Sequence, residues 1–402
     1  MRHLKLVLAS AAVSVALAAA LPAVAQDVKL GMLTGLTGPL EAMSPPMQAG
    51  AELAIEQIND QGGILGGPAT LIVGDDTCAD AAAGSAAADR LINTDGVLAI
   101  VGPMCSGVTI AVANTVAIPS GVTILSSSAT SPALTTMEDN DLVFRAVPSD
   151  AYQGEVLARL LFAKGITDVA LTYVNNDYGK GFADSFEAAF LGLGGTVPAN
   201  VAHEEGKSDY RAELGNLAAS GSQNLVILAY NSGSGNTVLR QAIESGDFTV
   251  YIGGDGMVGD AMLAGLDASA VEGFIGTKPG TPALPGTTMF NDAATAGGVD
   301  PTSTFVPQSY DAAFLLGLAV QKNGKADRAG LNAALREVAS APGETILPGE
   351  WQKAVDLIAA GTDINYEGAA GSYEFDGAGD VAGTIVEMTV KGGTFIEIGP
   401  AS

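Results

Sequence analysis

Histidine, tryptophan and cysteine are nearly missing from this 402-residue chain, which carries two His, one Trp and two Cys. Past the first 25 residues the only histidine is His203, and no cysteines stand beside it at ligand spacing, so a metal centre is poorly supported. The same scarcity weighs against a hydrolase, because a triad built on the many serines would have His203 as its sole base and no GxSxG elbow is present. Basic residues are also few, 18 Lys and Arg against 44 Asp and Glu, for a formal charge of -26. A surface that acidic repels nucleic acid and anionic lipid. Low-complexity tracts are absent, and beyond the N-terminus no apolar run is long enough to cross a bilayer.

What is present begins with MRHLKLVLASAAVSVALAAALPAVAQ. A basic start, an apolar stretch and the small-residue end Ala23-Val24-Ala25 read as a secretory signal cleaved before Gln26, with residues 1-25 removed and the mature chain exported. Loss of Arg2 and Lys5 takes the formal charge from -26 to -28. Cys78 and Cys105 both lie in the exported part, where an oxidising compartment permits a bond. A disulfide is expected, with a catalytic thiol as the rival.

Short apolar strands alternate with helical patterns: VKLGMLT, a helix with Ala51, Ala54, Ile55 and Ile58 at i, i+3, i+4, i+7, then ATLIVGDD, an Ala-rich helix, VLAIVGP, another helix, and VTILSSS. After FRAVP the pattern restarts, with strands DVALTYV, TVPANVA, NLVILAY and FTVYIGG separated by helices. Such alternation implies α/β architecture with parallel sheets wrapped by helices, here in two Rossmann-like modules. The stretch GTKPGTPALPG separates the second module from a helix, YDAAFLLGLAVQKNG, expected to pack back on the first module. The tail SYEFDGAGDVAGTIVEMTVKGGTFIEI reads as two strands completing the second.

In open parallel sheets, ligands bind beyond the carboxyl ends of the strands. Those ends carry Met104, Cys105, Ser106 and the run LSSSATS (125-131) in module one, and Tyr178, Tyr230 and Asp255 in module two. Ser106 opens a helix, whose free N-H groups and hydroxyl suit a carboxylate. Ser131, just before Pro132, reads as an N-cap, and Ser126 and Ser127 as loop residues. Ser128 and Thr130 remain, with carbonyl and hydroxyl groups able to accept from an ammonium, and Asp255 would supply its countercharge. A small zwitterion satisfies both halves. Gly254-Asp255-Gly256-Met257-Val258-Gly259 also fits GxGxxG, but it would set a carboxylate where a pyrophosphate belongs, so no cofactor is expected.

The motifs GAELAIEQINDQGGILG, VGPMCSGVT, ILSSSATSPALT, FRAVPSD, NNDYGKGFA and LRQAIESG, in this order from about Val28 to Ile398, resemble the branched-chain amino acid binding proteins of ABC importers. That resemblance implies a type I periplasmic binding protein, two lobes closing around an amino acid and joined by three crossings. It implies an N-terminal lobe of 26-147 plus 277-367 and a C-terminal lobe of 148-276 plus 368-402. It places Ser106 and Thr130 on the ligand carboxylate, the Ser128 backbone with Thr130 on the ammonium, Asp255 as its acidic partner, and Tyr178 and Tyr310 as walls. Cys78 and Cys105 match the family's disulfide pair.

The chain departs from the pattern in four places. Asp255 stands where leucine-binding members carry the longer glutamate, Met43 stands where an aromatic is common, the Tyr230-Asn231 register is ambiguous by one residue, and PGETILPGEWQKAVDLIAAGTDI is longer. The walls expected for a ligand side chain are Met43, Met104, Tyr178, Tyr230, Met257 and Tyr310. The expectation is thus a monomeric periplasmic binding protein of a Gram-negative bacterium, not an enzyme, that hands an amino acid to ABC permease subunits. The alternatives are a related amide or aromatic carboxylic solute, the ligand-sensing subunit of a receptor, and an exported serine hydrolase.

Overall fold

The computed structural model describes residues 27-401; the expected signal segment lies outside them. Two large sheets organise the chain. The first is built from β1 (Val28–Thr34), β2 (Ala69–Asp75), β3 (Ala99–Val101), β4 (Thr123–Ser126) and β5 (Val143–Arg145), all parallel in the order β2-β1-β3-β4-β5. Helices α1 (Ser44–Asp60), α2 (Ala81–Asp89) and α3 (Ser106–Val112) make its crossovers.

The chain then passes into α4 (Asp150–Ala163), β6 (Asp168–Val174), α5 (Asp177–Gly192), β7 (Thr196–His203), α6 (Arg211–Ala218), β8 (Asn224–Leu228), α7 (Ser234–Ser245), β9 (Val250–Gly253) and β10 (Ile275–Pro279). It leaves for α8 (Pro285–Ala296), α9 (Val306–Asn323), α10 (Leu331–Ala339), β11 (Glu344–Ile346), α11 (Trp351–Ala359) and β12 (Ile364–Tyr366), and returns as β13 (Ile385–Lys391) and β14 (Thr394–Pro400). The second sheet runs β14-β13-β10-β9-β8-β6-β7, with β6 to β10 parallel and the last two strands antiparallel.

Local sequence accounts for the frame. Helix α1 starts on Pro45 and Pro46, where a missing N-H costs nothing, and buries Met47, Ala51, Ala54, Ile55 and Ile58. It stops at Gly62-Gly63; Gly63 sits at φ 75°, and a Cβ there would lie 1.9 Å from the Gly67 carbonyl oxygen. Helix α9, the expected returning helix, packs along α1 and is buried along almost its whole length. The longer segment forms the small parallel pair β11-β12 with α11, whose buried Trp351 donates from Nε1 to the Gly63 carbonyl oxygen at 3.0 Å.

Two expectations shift. Residues 275-279, read above as the start of a separator, form β10, every residue of it buried between β9 and β13. Pro279 is tolerated there because it is the strand's last residue. A boundary at 277 would cut this strand, which belongs whole to the second sheet. Val143–Arg145 is likewise a strand, short and fully buried, with no alternation to betray it.

Cys78 and Cys105 form the disulfide, tying the loop after β2 to the residue preceding α3. Closing that loop of 27 residues should stabilise the fold by about 3.5 kcal/mol on a chain-entropy estimate. Replacing both cysteines by serine is expected to lower the urea midpoint by a corresponding amount, and an unchanged midpoint would show that the bond constrains nothing.

Candidate functional site

In both sheets the strand order reverses beside the first strand of the module, between β1 and β3 in one and between β6 and β8 in the other. The carboxyl edges at these two reversals face each other. Between them lies a narrow cavity lined by Leu40, Met104, Cys105, Ser106, Ser128 and Phe305 with Tyr178, Tyr230, Asp255 and Gly256. Loops from both sheets touch across it: Ser131 Oγ donates to the Asp177 carbonyl oxygen at 2.8 Å, and Ser232 N donates to that of Pro39 at 3.2 Å. The lobes are closed on one another.

The hydroxyl-rich loop after β4 is held mainly by its own side chains. Ser126 Oγ donates to the Pro103 carbonyl oxygen at 2.6 Å and accepts from Ala129 N, while Ser127 Oγ meets Ser309 Oγ at 3.0 Å. Ser128 Oγ donates to the Met104 carbonyl oxygen at 2.8 Å. Ser131 caps the following turn through Ala133 N, as its place before Pro132 predicts, and its own N-H donates to Ser106 Oγ at 3.2 Å. Thr130 alone keeps a buried hydroxyl with no hydrogen-bond partner. Its carbonyl accepts from Asp150 N at 2.8 Å and from Arg145 Nη1 at 2.9 Å.

Arg145 is 1% exposed and fully engaged. Nη1 also donates to the Ser131 carbonyl, while Nε and Nη2 form a bidentate pair with Asp380, both at 2.6 Å. Asp380 lies on the stretch that carries the chain back to the second sheet. One guanidinium therefore joins the ligand-facing loop to a connection between lobes.

On the opposite wall, Tyr178 and Tyr230 stack with centroids 5.3 Å apart. Tyr178 OH donates to Asp255 Oδ1 at 3.1 Å and accepts from Gly256 N at 3.1 Å, and Tyr230 OH accepts from Asn176 Nδ2. Gln153 Nε2 donates to the same Asp255 oxygen at 3.1 Å. Burial raises the Asp255 carboxyl to about 6, against the pull of these donors.

A second carboxylate, Asp150 at the first position of α4, escaped the sequence reading. It is fully buried, neither oxygen has a hydrogen-bond partner among the described residues, and burial followed by repulsion from Asp255 holds its carboxyl well above the usual range. Only its place in FRAVPSD could have pointed to it, and there an acidic residue after a serine cap looks like an ordinary helix start.

Of the residues predicted for the site, Ser106, Ser128, Met104, Tyr178, Tyr230 and Asp255 line the cavity. Thr130 stands behind it, its hydroxyl facing Asp150. Met43 lines instead a larger neighbouring cavity of about 1460 Å³ with Asn231, Val258 and Thr304. Met257 is fully buried against Gly235 and Gly253. Tyr310 is no wall: it sits in the core of the first lobe, its OH donating to Gln57 Oε1 at 2.5 Å and its ring stacked on Phe314. Leu40 and Phe305 take wall positions that the sequence did not suggest. Phe305 is a buried non-glycine at φ 66°, and residue type gives no sign of that backbone turn.

Asp255–Met257 is a single tight turn with no helix behind it to receive a pyrophosphate. His203 is 1% exposed, with Nδ1 2.8 Å from Thr172 Oγ1 and Nε2 3.2 Å from Ser234 Oγ, whose proton goes to Glu205 Oε2 at 2.6 Å. Ser234 gives its proton to a carboxylate rather than to the imidazole, and His203 has a threonine rather than an acid on its other nitrogen, so the three do not form a Ser-His-acid relay. Among the described residues no group of three or more His, Cys, Asp or Glu could hold a metal ion, and no helix is long and apolar enough to cross a membrane.

A family described as periplasmic binding protein is matched over residues 27–354. The chain is 30% identical over 329 residues to the leucine-, isoleucine-, valine-, threonine- and alanine-binding protein of Pseudomonas aeruginosa, covering 81% of this chain and 86% of that one. The structure resembles a leucine binding protein from Thermotoga maritima with a TM-score of 0.79 at 24% identity, over 93% of this chain and 99% of that one. It also resembles an ABC transporter substrate-binding protein from Desulfitobacterium hafniense in complex with Leu, with a TM-score of 0.72 at 26% identity, over 93% and 100%.

Burial lowers the His203 imidazole to about 4. The unfolded chain thus takes up a proton that the native chain refuses between the ordinary histidine value and about 4. The contribution of His203 to stability should fall by up to about 3 kcal/mol as pH drops through that window and level off below it, opposed by the buried carboxyls of Asp76, Asp255 and Asp311, which bind protons more readily in the native chain. His203→Gln, which keeps a donor and an acceptor, is expected to remove this slope from urea unfolding curves, and an identical slope in the variant would rule the histidine out.

Proposed function

The chain belongs to the periplasmic binding protein family, and on that premise we propose that it captures a branched-chain or related small amino acid between two lobes and delivers it to the permease of an ABC importer. The observation that carries this reading is the closed cavity itself, in which the Asp255 carboxylate of one lobe is buried opposite Ser106 and the hydroxyl-rich loop of the other. A buried carboxylate with no cation bonded to it calls for a positive group. Ser106 supplies the other pole, a donor for a carboxylate at the opening of α3.

In this reading the ligand's ammonium lies between Asp255 and the Ser128 backbone and its carboxylate reaches Ser106, while Thr130, behind the lining, faces Asp150. Tyr178, Tyr230, Met104, Leu40 and Phe305 surround the side chain, an apolar and aromatic set with space for an aliphatic group. Met43 and the larger cavity beside it lie along the way in. The protein acts in the periplasm, exported on residues 1-25 of a Gram-negative precursor, as a monomer. Its two lobes turn about the three crossings: 26-147 with most of 280-380, since residues 368-380 pack on Asp311, Phe144 and Arg145 of the first lobe rather than on the second as expected, and 148-276 with β10, β13 and β14. Only the closed arrangement supplies contacts from both sides, so ligand binding shifts the balance toward it. The permease then meets a closed, loaded protein. No bond in the ligand is made or broken.

Calorimetric titration with Leu, Ile, Val, Thr and Ala tests the assignment, and no heat with any of them would overturn it. Ser106→Ala should weaken binding by about 1 to 3 kcal/mol, since a hydrogen bond to a charged group is lost in a dry site. Asp255→Asn should cost amino acids about 2 kcal/mol or more while sparing 4-methylpentanoate, the leucine analogue without the amine. Equal losses for both would remove Asp255 from the ammonium role.

A further inference from the structure

Two carboxylates, not one, are buried at the head of the cleft. Asp255 is 3% exposed and Asp150 is not exposed at all. Asp255 has Tyr178 OH and Gln153 Nε2 as donors, both to the one oxygen Oδ1. Around Asp150 the bonding is incomplete: the Thr130 hydroxyl lies close enough to favour its ionised form without the geometry of a full hydrogen bond, and the Gln153 amide oxygen is buried without a partner. These groups lie on α4 and on the loop after β4, behind the residues that line the cavity.

The charges facing this pair come from several elements. Arg145, at the end of β5, is the one cation acting on Asp150, and its guanidinium is already committed to Asp380, Thr135 and two carbonyls. From α5 and the turn after β8 come two neutral phenols, Tyr178 and Tyr230, with Glu205 beyond Tyr230 adding negative charge. From α4 and β10 come only the neutral Gln153 and Thr277, which bond one another. Two facing carboxylates without a countercharge are too costly to hold ionised in a dry interior.

We propose that the empty cleft is kept near neutrality by one proton shared between Asp150 and Asp255, and that the ammonium of the arriving ligand displaces this proton to solvent. Capture is then an exchange of one cation for another. A proton leaves the pair for solvent and an ammonium takes its place beside the two carboxylates, while the ligand's own carboxylate is met by the Ser106 donor. This rests on the amino-acid reading above and deepens it. A ligand with no amine has nothing to trade, so the second carboxylate makes the site select for the cation as well as for the carboxylate. The elevated values of both groups agree with a resident proton near neutral pH.

Titrating L-leucine into the full chain at neutral pH, in phosphate and in Tris, measures the exchange directly, because heats that differ with buffer ionisation enthalpy count the protons released. Close to one proton per leucine is expected for the native protein, close to none for Asp150→Asn, and release restored in Asp150→Glu. The native protein alone gives a second measure: leucine affinity should rise close to tenfold per pH unit up to and through neutrality and level only above the pH at which the pair gives up its proton unaided, whereas 4-methylpentanoate should show no such rise. Leucine binding with buffer-independent heats overturns the exchange and leaves the amino-acid reading standing. If neither leucine nor isoleucine, valine, threonine or alanine gives heat, both fall together.

Discussion

A carboxylate removed from water and left without a fixed cation is the constraint around which this molecule is arranged. Asp255 sits at the carboxyl edge of β9, where the second sheet's loops converge, with a phenol and an amide on one of its oxygens. Those neutral donors orient the group without neutralising it. Water would do so more cheaply, and two lobes closing over the site keep water away. The parallel sheets, the crossings between lobes and the stacked tyrosines all serve to hold an acidic group in a place where it favours a cation from outside.

The opposite wall solves a different problem, that of holding a loop still without regular structure. Ser126, Ser127, Ser128 and Ser131 are internal braces, each hydroxyl reaching a carbonyl or a partner hydroxyl. Below them the disulfide joins the approaches to this loop, and Asp76 accepts from Met104 N at 2.6 Å and Cys78 N at 3.1 Å. Once the braces are accounted for, Thr130 is the one hydroxyl of the run turned toward a buried carboxyl, that of Asp150. The density of serine and threonine after Leu125 thus has two causes, most of it rigidity and a small part recognition.

Much of this was legible before any coordinates. Strand and helix alternation located the carboxyl edges, and the polar residues gathered there include six that do line the cavity. Legibility failed where position in the third dimension outweighs residue type. Tyr310 reads like a wall but belongs to a helix buried on every side, so its ring enters a core stack. Met257 follows Asp255 by two residues, yet its turn sends it toward Gly235 and Gly253 rather than to the opening. Asp150 looks like a helix-starting acid, and nothing in its neighbours announces that the helix begins inside the protein. Phe305 reaches the cavity only through a left-handed backbone angle. Buried strands of three to five residues, such as β5 and β10, carry no period by which to recognise them.

Arg145 gives the architecture a mechanical reading. Its guanidinium grips the carbonyls of Thr130 and Ser131 on one side and Asp380 on the other, inside the protein and with little slack. The loop that meets the guest and one of the joints about which the halves swing are therefore bolted to a single bracket. A turn of one sheet relative to the other would therefore carry this loop along with the connection, leaving one wall of the cavity as a fixed anvil.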